Sequence, residues 1–145
     1  MSFFSFRKDE ILRKKKLIER LFAGGTSFFI FPFKVVWLHN SIESHFPVQV
    51  LISVSKRSFK NATDRNRIKR LIREAYRKNK HPFYNYLSSH NLQGAMAIIY
   101  TANIHLTADE METKIKAAIK RLISEIDKKL NNPPSALSDK KTSVL

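Results

Sequence analysis

The sequence predicts an α+β fold, ordered α-β-β-β-α-β-α, with a mixed sheet and helices on one face. Three observations carry that prediction. Apolar residues recur at helical spacing in three separate segments. Four short stretches alternate or run apolar as strands do. A strand–helix–strand order joins Val48 to Tyr100.

The first helix is expected from about Asp9 to Phe22, with Ile11, Ile18, Leu21 and Phe22 on one face and Gly24-Gly25 ending it. Arg13 to Lys16 form a basic block on its other side, and Asp9-Glu10 read as a charge pair at the helix start. Strands follow at about Ser27 to Phe31, Phe33 to His39 and Val48 to Val54, with Asn40 to Pro47 turning the chain between the last two. In the third strand Val48, Val50, Ile52 and Val54 alternate with Gln49, Leu51 and Ser53, so one face is core. The second helix is capped by Asn61 or Thr63 and stopped by His81-Pro82. Gly94 to Tyr100, GAMAIIY, reads as a buried central strand. The last helix opens on the capping box Thr107-x-x-Glu110 and turns Met111, Ile115, Ile119, Leu122 and Ile126 to the core. Right-handed is the default for the strand–helix–strand crossover.

Length and composition allow one domain over residues 1–130. Residues 131–145, opening on Asn-Asn-Pro-Pro-Ser, are expected to be a disordered C-terminal tail. In 145 residues, 27 Lys and Arg against 12 Asp and Glu leave a formal charge of +15. A polyanion is the simplest partner to offset that surplus. No stretch approaches the roughly 18 apolar residues of a membrane span, and Met1 to Phe6 does not resemble a secretory leader. A cytoplasmic protein is expected. The absence of cysteine excludes disulfides, thiolate metal sites and cysteine nucleophiles.

The basic residues are concentrated. Between Lys56 and Lys80 the only acids are Asp64 and Glu74. In the run Arg65 to Lys78, RNRIKRLIREAYRK, the residues Ile68, Leu71, Ile72, Ala75 and Tyr76 fall on one helical stripe. Asn66, Lys69, Arg70, Arg73 and Arg77 fall opposite. A docked helix of this kind presents guanidinium forks at fixed spacing, a geometry suited to phosphates. An ordinary solvated helix would interleave acids for support.

Catalytic chemistry is not evident. His39, His45, His81, His90 and His105 are scattered without carboxylate partners, and there is no HExxH, GxxxxGK[ST] or paired-carboxylate cluster. The chain reads as a binder without a self-contained active site. Phe3, Phe4, Phe6, Phe22, Phe28, Phe29, Phe31, Phe33, Trp37 and Phe46 all precede the basic helix. Some, Phe22 among them, belong to the core by simple packing. Others, on an open sheet face, could stack unpaired bases beside a cationic rim.

The stretch ISVSKRSFKNATDRNRIKRLIREAYR, Ile52 to Arg77, closely resembles the signature of the bacterial ribonuclease P protein component. It carries the basic pair Lys56-Arg57 after a strand, then Arg65-Asn66-Arg67, Lys69-Arg70 and Arg73-Glu74 in one helix. Looser similarity covers about residues 6 to 130. The resemblance implies a two-layer α/β sandwich like a ribosomal-protein domain, with a left-handed β-α-β crossover in place of the default. It implies a partnership with a catalytic RNA subunit that removes the 5′ leader from precursor tRNA. Phosphodiester hydrolysis then belongs to the RNA, with Mg²⁺ held mainly by that RNA and no organic cofactor. No membrane and no obligate protein partner are implied. Carried over by position, Lys56, Arg57, Arg65, Asn66, Arg67, Lys69, Arg70 and Arg73 are the expected RNA contacts. The first helix and the sheet form the family's leader cleft, for which Ile18, Phe22, Phe33 and Trp37 are the candidates. Ile18 stands where the family often has an aromatic.

Rival readings are a structural or ribosomal RNA-binding protein without a nuclease role, a DNA-binding helix protein, and an autonomous metal nuclease. The second lacks the short-turn partner helix of helix-turn-helix motifs. The third is disfavoured by the small number of acids.

Overall fold

The computed structural model describes residues 6–131. After a 3-10 turn at Lys8–Glu10 come helix α1 (Lys15–Gly24), strands β1 (Thr26–Ile30), β2 (Phe33–His39) and β3 (Val48–Val54), and helices α2 (Ala62–Asn79) and α3 (His81–Ser89). Strand β4 (Gly94–Tyr100) and helix α4 (Ala108–Asn131) complete the order. The sheet runs β1-β2-β4-β3, with β2 antiparallel to both its neighbours and β3 parallel to β4. The mixed α+β architecture is the one the sequence predicts. GAMAIIY lies inside the sheet and is buried except at Ile99.

Strand alternation sorts the side chains onto two faces. Phe28, Phe33, Val35, Trp37, Val48, Val50, Met96, Ile98 and Tyr100 share the main core with α2, α3 and α4. Val36, Ala95 and Ala97 point the other way and pack with Leu12, Leu17 and Leu21. Helix α1 therefore covers the opposite face, whereas the sequence led to helices on one face only. The reason is that β2 and β4 are apolar on both sides, so both need cover. Ala95 and Ala97 keep the second side shallow enough for a helix backbone to approach.

Two other differences concern helix ends. Helix α1 begins at Lys15 rather than near Asp9, because the preceding residues attach to the sheet edge: Ile11 bridges Val50, and the Leu12 amide donates to the Val50 carbonyl at 3.0 Å. His81-Pro82 does not simply end a helix. Proline opens α3, where its missing N–H costs nothing. The capping box is present as expected, with Thr107 Oγ1 accepting from the Glu110 amide at 3.1 Å and Glu110 Oε1 from the Thr107 amide at 2.9 Å. Helix α4 includes Asn131, the first residue assigned to the tail, and residues 132–145 lie outside the described ones.

The N-terminal segment is locked to the α2–α3 joint by a buried polar cluster. Glu10, expected as a helix-start charge, is fully buried and pairs with Lys80 at 2.5 Å. Tyr84 donates its hydroxyl to Glu10 at 2.6 Å, and the Arg7 amide donates to the second carboxylate oxygen at 2.6 Å. The Lys80 ammonium lies 5.2–5.8 Å from the rings of Phe6, Phe46 and Tyr84. Burial pushes the phenols of Tyr76 and Tyr84 far up from their ordinary value, so both remain protonated donors. Every buried side-chain polar atom among the described residues has a partner.

Candidate nucleic-acid interface

Helix α2 docks through Ile68, Ile72, Ala75 and Tyr76, all buried. Its other side carries Asn66, Arg67, Arg70 and Arg73 in solvent, with Lys69 half-buried. Among the described residues no carboxylate bonds to any of these. Glu74 is bound instead to Arg77 at 2.8 Å, and that hydrogen bond holds its carboxyl below the usual range. Asp64 sits in the first turn, where a negative charge suits the helix dipole. Arg77 apart, the outward face is thus cationic with no acid bonded to it among the described residues, although like charges at this spacing cost helix stability.

The expected RNA contacts do not all point outward in the same way. Arg65 lies three residues before Ile68, close to the apolar stripe, and its guanidinium turns back to donate to the carbonyls of Phe59 and Lys60 at 2.9 and 2.8 Å. It fixes the loop entering α2. Arg67 approaches His105 Nδ1 at 3.2 Å, and the His105 ring lies 4.7 Å from that of Phe59, tilted by 55°. Lys56 and Arg57 are exposed on a turn whose Ser55 hydroxyl accepts the Arg57 amide at 3.1 Å. Buried Phe59 pins the far side of that turn against Tyr100.

The other face of the sheet is only partly covered by α1, which leaves a candidate groove beside the helix. Leu17 and Leu21 seat α1, which leaves Ile18 and Phe22 on one flank of the helix and Lys16 and Arg20 on the other. Lys16 and Arg20 share a hollow with Asn40 and Gln49, so Ile18 and Phe22 look toward the opposite end of the sheet. There the register sets four residues in a row across the strands: Phe29, Lys34, Ile99 and Ser53. Phe29 is 67% exposed and Phe22 49%, so Phe22 is not the core residue that simple packing suggested, because Leu17 and Leu21 take the seat of α1. Lys34 holds its ammonium 5.7 Å from the Phe29 ring. An apolar floor and wall with a cation over an open aromatic can receive unpaired bases and their phosphates.

Phe33 and Trp37 do not line this groove, contrary to the sequence expectation. Both are buried on the α2–α4 side, edge-on to Tyr100 and Phe83 respectively. The period of two in β2 sends Lys34, Val36 and Leu38 to the groove face instead. The residues that do share this face, Phe29, Lys34, Ile99 and Ser53, carried that parity as their signal. It needed only the knowledge that α1 covers the second face.

Among the described residues no three His, Asp or Glu side chains come together to hold a metal ion. No helix there is long and apolar enough to cross a membrane.

A family model described as Ribonuclease P matches residues 6–127. The ribonuclease P protein component of Porphyromonas gingivalis is 34% identical over 100 residues, covering 69% of this chain and 73% of that protein. That of Chlorobaculum tepidum is 32% identical over 126 residues, covering 81% and 82%. Among solved structures, the Staphylococcus aureus RNase P protein matches with a TM-score of 0.61 at 26% identity, over 78% of this chain and 94% of that one. The Thermotoga maritima RNase P protein matches in fold, with a TM-score of 0.60 at 22% identity, over 77% and 96%. The matched span includes α1, the whole sheet and the arginine helix, so the chain belongs to the ribonuclease P protein family.

Proposed function

We infer that the chain grips the catalytic RNA with α2 and guides the 5′ leader of precursor tRNA through the groove beside α1. As a member of its family it is the protein subunit of ribonuclease P, the tRNA 5′-maturation endoribonuclease, and works with the RNA subunit. The observation that carries the finer reading is the outward face of α2, where Arg67, Lys69, Arg70 and Arg73 bond to no carboxylate among the described residues. Arginine forks and Asn66 suit phosphates and 2′-hydroxyls, and these contacts position without reading sequence. The groove accepts bases by stacking on Phe29 and Phe22, equally without sequence preference.

Hydrolysis is assigned to the RNA, with Mg²⁺ held there. The protein's part is to hold the substrate and to lower repulsion between the two RNAs by its charge. The cytoplasm is the compartment proposed, since both RNAs are found there.

Reconstitution tests the reading. The full chain, mixed with a bacterial ribonuclease P RNA and precursor tRNA at low Mg²⁺, is expected to stimulate leader removal. No stimulation would leave only a structural RNA-binding role, and cleavage by the protein alone would overturn the division of labour.

A further inference from the structure

Among Arg67, Lys69, Arg70 and Arg73, Arg67 alone has a side-chain hydrogen-bond partner within the described residues. That partner, His105, stands in the loop between β4 and α4, and its Nδ1 lies 3.2 Å from Arg67 Nη1. Arginine carries N–H donors and no acceptor, so Nδ1 must be the accepting atom. The imidazole in this contact is therefore neutral, with its proton on Nε2. The loop presenting it is tied on both sides. The Tyr100 hydroxyl donates to the Ile104 carbonyl at 2.6 Å, Leu106 is buried, and the capping box fixes Thr107. The ring lies beside that of Phe59, which is itself buried against Tyr100.

We propose that His105 is a positioning residue for Arg67: it accepts one guanidinium N–H and holds the remaining donors ready for a phosphate of the catalytic RNA. The proposal rests on the reading of α2 as the face that grips that RNA. A long, exposed side chain must otherwise be ordered at the moment of binding, which costs affinity. One bond at Nη1 fixes the guanidinium plane in advance and leaves Nε and Nη2 without a partner among the described residues. Phe59 links this arrangement to Arg65, which donates to the carbonyls of Phe59 and Lys60. Both arginines of Arg65-Asn66-Arg67 are thus oriented around one loop residue, Arg65 through its carbonyl and Arg67 through the imidazole beside its ring. Arg70 and Arg73, about one and two turns further along α2, have no such support. His105 itself need not touch RNA.

The test is a double-mutant cycle, with the full chain titrated into a bacterial ribonuclease P RNA at fixed salt. His105→Ala should weaken binding roughly three- to tenfold, the size of one side chain left to be ordered on binding. In an Arg67→Ala background the same change should have no effect. His105→Gln supplies a neutral acceptor and should restore affinity. His105→Phe keeps a ring beside Phe59 without an acceptor and should bind like His105→Ala. The side chain is exposed, so these variants should melt as wild type does. In the free protein at about pH 8, where imidazoles are ordinarily neutral, long-range proton–nitrogen NMR should place the His105 proton on Nε2. A proton on Nδ1, or wild-type affinity in His105→Phe, would refute the acceptor role. An equal loss from His105→Ala in both backgrounds would make His105 an RNA contact in its own right and refute positioning. Full affinity in Arg67→Ala would instead take Arg67 out of the interface, a failure of the α2 reading on which the proposal rests.

Discussion

At the scale of single residues, neighbouring arginines on α2 have different duties. Arg70 is exposed and bonds to no carboxylate among the described residues, whereas Arg65 donates to two backbone carbonyls of the loop before the helix. Arg70→Ala should lower RNA affinity with melting unchanged, as for surface substitutions generally. Arg65→Ala should lower affinity and also cost about 1–3 kcal/mol of stability, because two carbonyls lose a charged donor. Calorimetric melting beside RNA titration separates the two. Equal melting of both variants would show that the Arg65 bonds do not matter to folding. A similar contrast applies to the phenylalanines of the hairpin. Phe33→Ala should destabilise by about 3–5 kcal/mol as a core truncation. Phe29→Ala should leave stability almost unchanged and reduce the gain from a long leader. The residue identities on α2 were legible in the sequence because helical spacing separates docked from outward positions. Arg65's turn inward was not, since it depends on where the Phe59–Lys60 carbonyls come to lie.

At the scale of elements, the joint between α2 and α3 is held by Glu10 and Lys80, which are seventy residues apart in sequence. Breaking a buried pair by removing one partner leaves the other charge uncompensated. Lys80→Ala should therefore cost about 3–5 kcal/mol. Urea unfolding would measure it, and a loss under about 1 kcal/mol would show that Glu10 finds other partners. The sequence revealed the four strands nearly to the residue, because their periods and bounding turns are local. It concealed α3, whose opening proline reads equally as the end of the previous helix. It also misplaced the start of α1, since the pairing of Ile11 with Val50 is a long-range event that overrides local helix pattern.

At the scale of the whole molecule, charge and tyrosine burial set the solution behaviour. With a formal charge of +15 and a face built for phosphates, RNA affinity should fall steeply with salt. The slope of log K against log salt should drop by about 0.7–0.9 for each phosphate neutralised. Arg67→Ala and Arg70→Ala should each flatten it, and an unchanged slope would remove that residue from the contact set. Alkaline stability has a definite sign. Tyr76 and Tyr84 have phenols raised by burial, and Tyr86 is pushed up to about 12 by burial first and then by its hydrogen bond to Asp127. In the unfolded chain all three ionise near pH 10. Their stabilising effect is full below that pH and is lost as pH rises above it, because the unfolded state then releases protons the folded state retains. Thermal melting from about pH 8 to 11 should show this decline, less steep in Tyr84→Phe. A melting curve flat across that range would contradict it. The cationic character at this scale was plain from composition. Which sheet face α1 covers was not, and the assignment of Phe33 and Trp37 failed for that reason.

On the function proposed above, the sheet lies as a plate between the two RNAs, one against the arginines of α2 and the other beside α1. Neither can slide relative to the other without bending the plate. The cut would then be gauged by a fixed separation, and cleavage assays on leaders of unrelated composition should find them measured off alike.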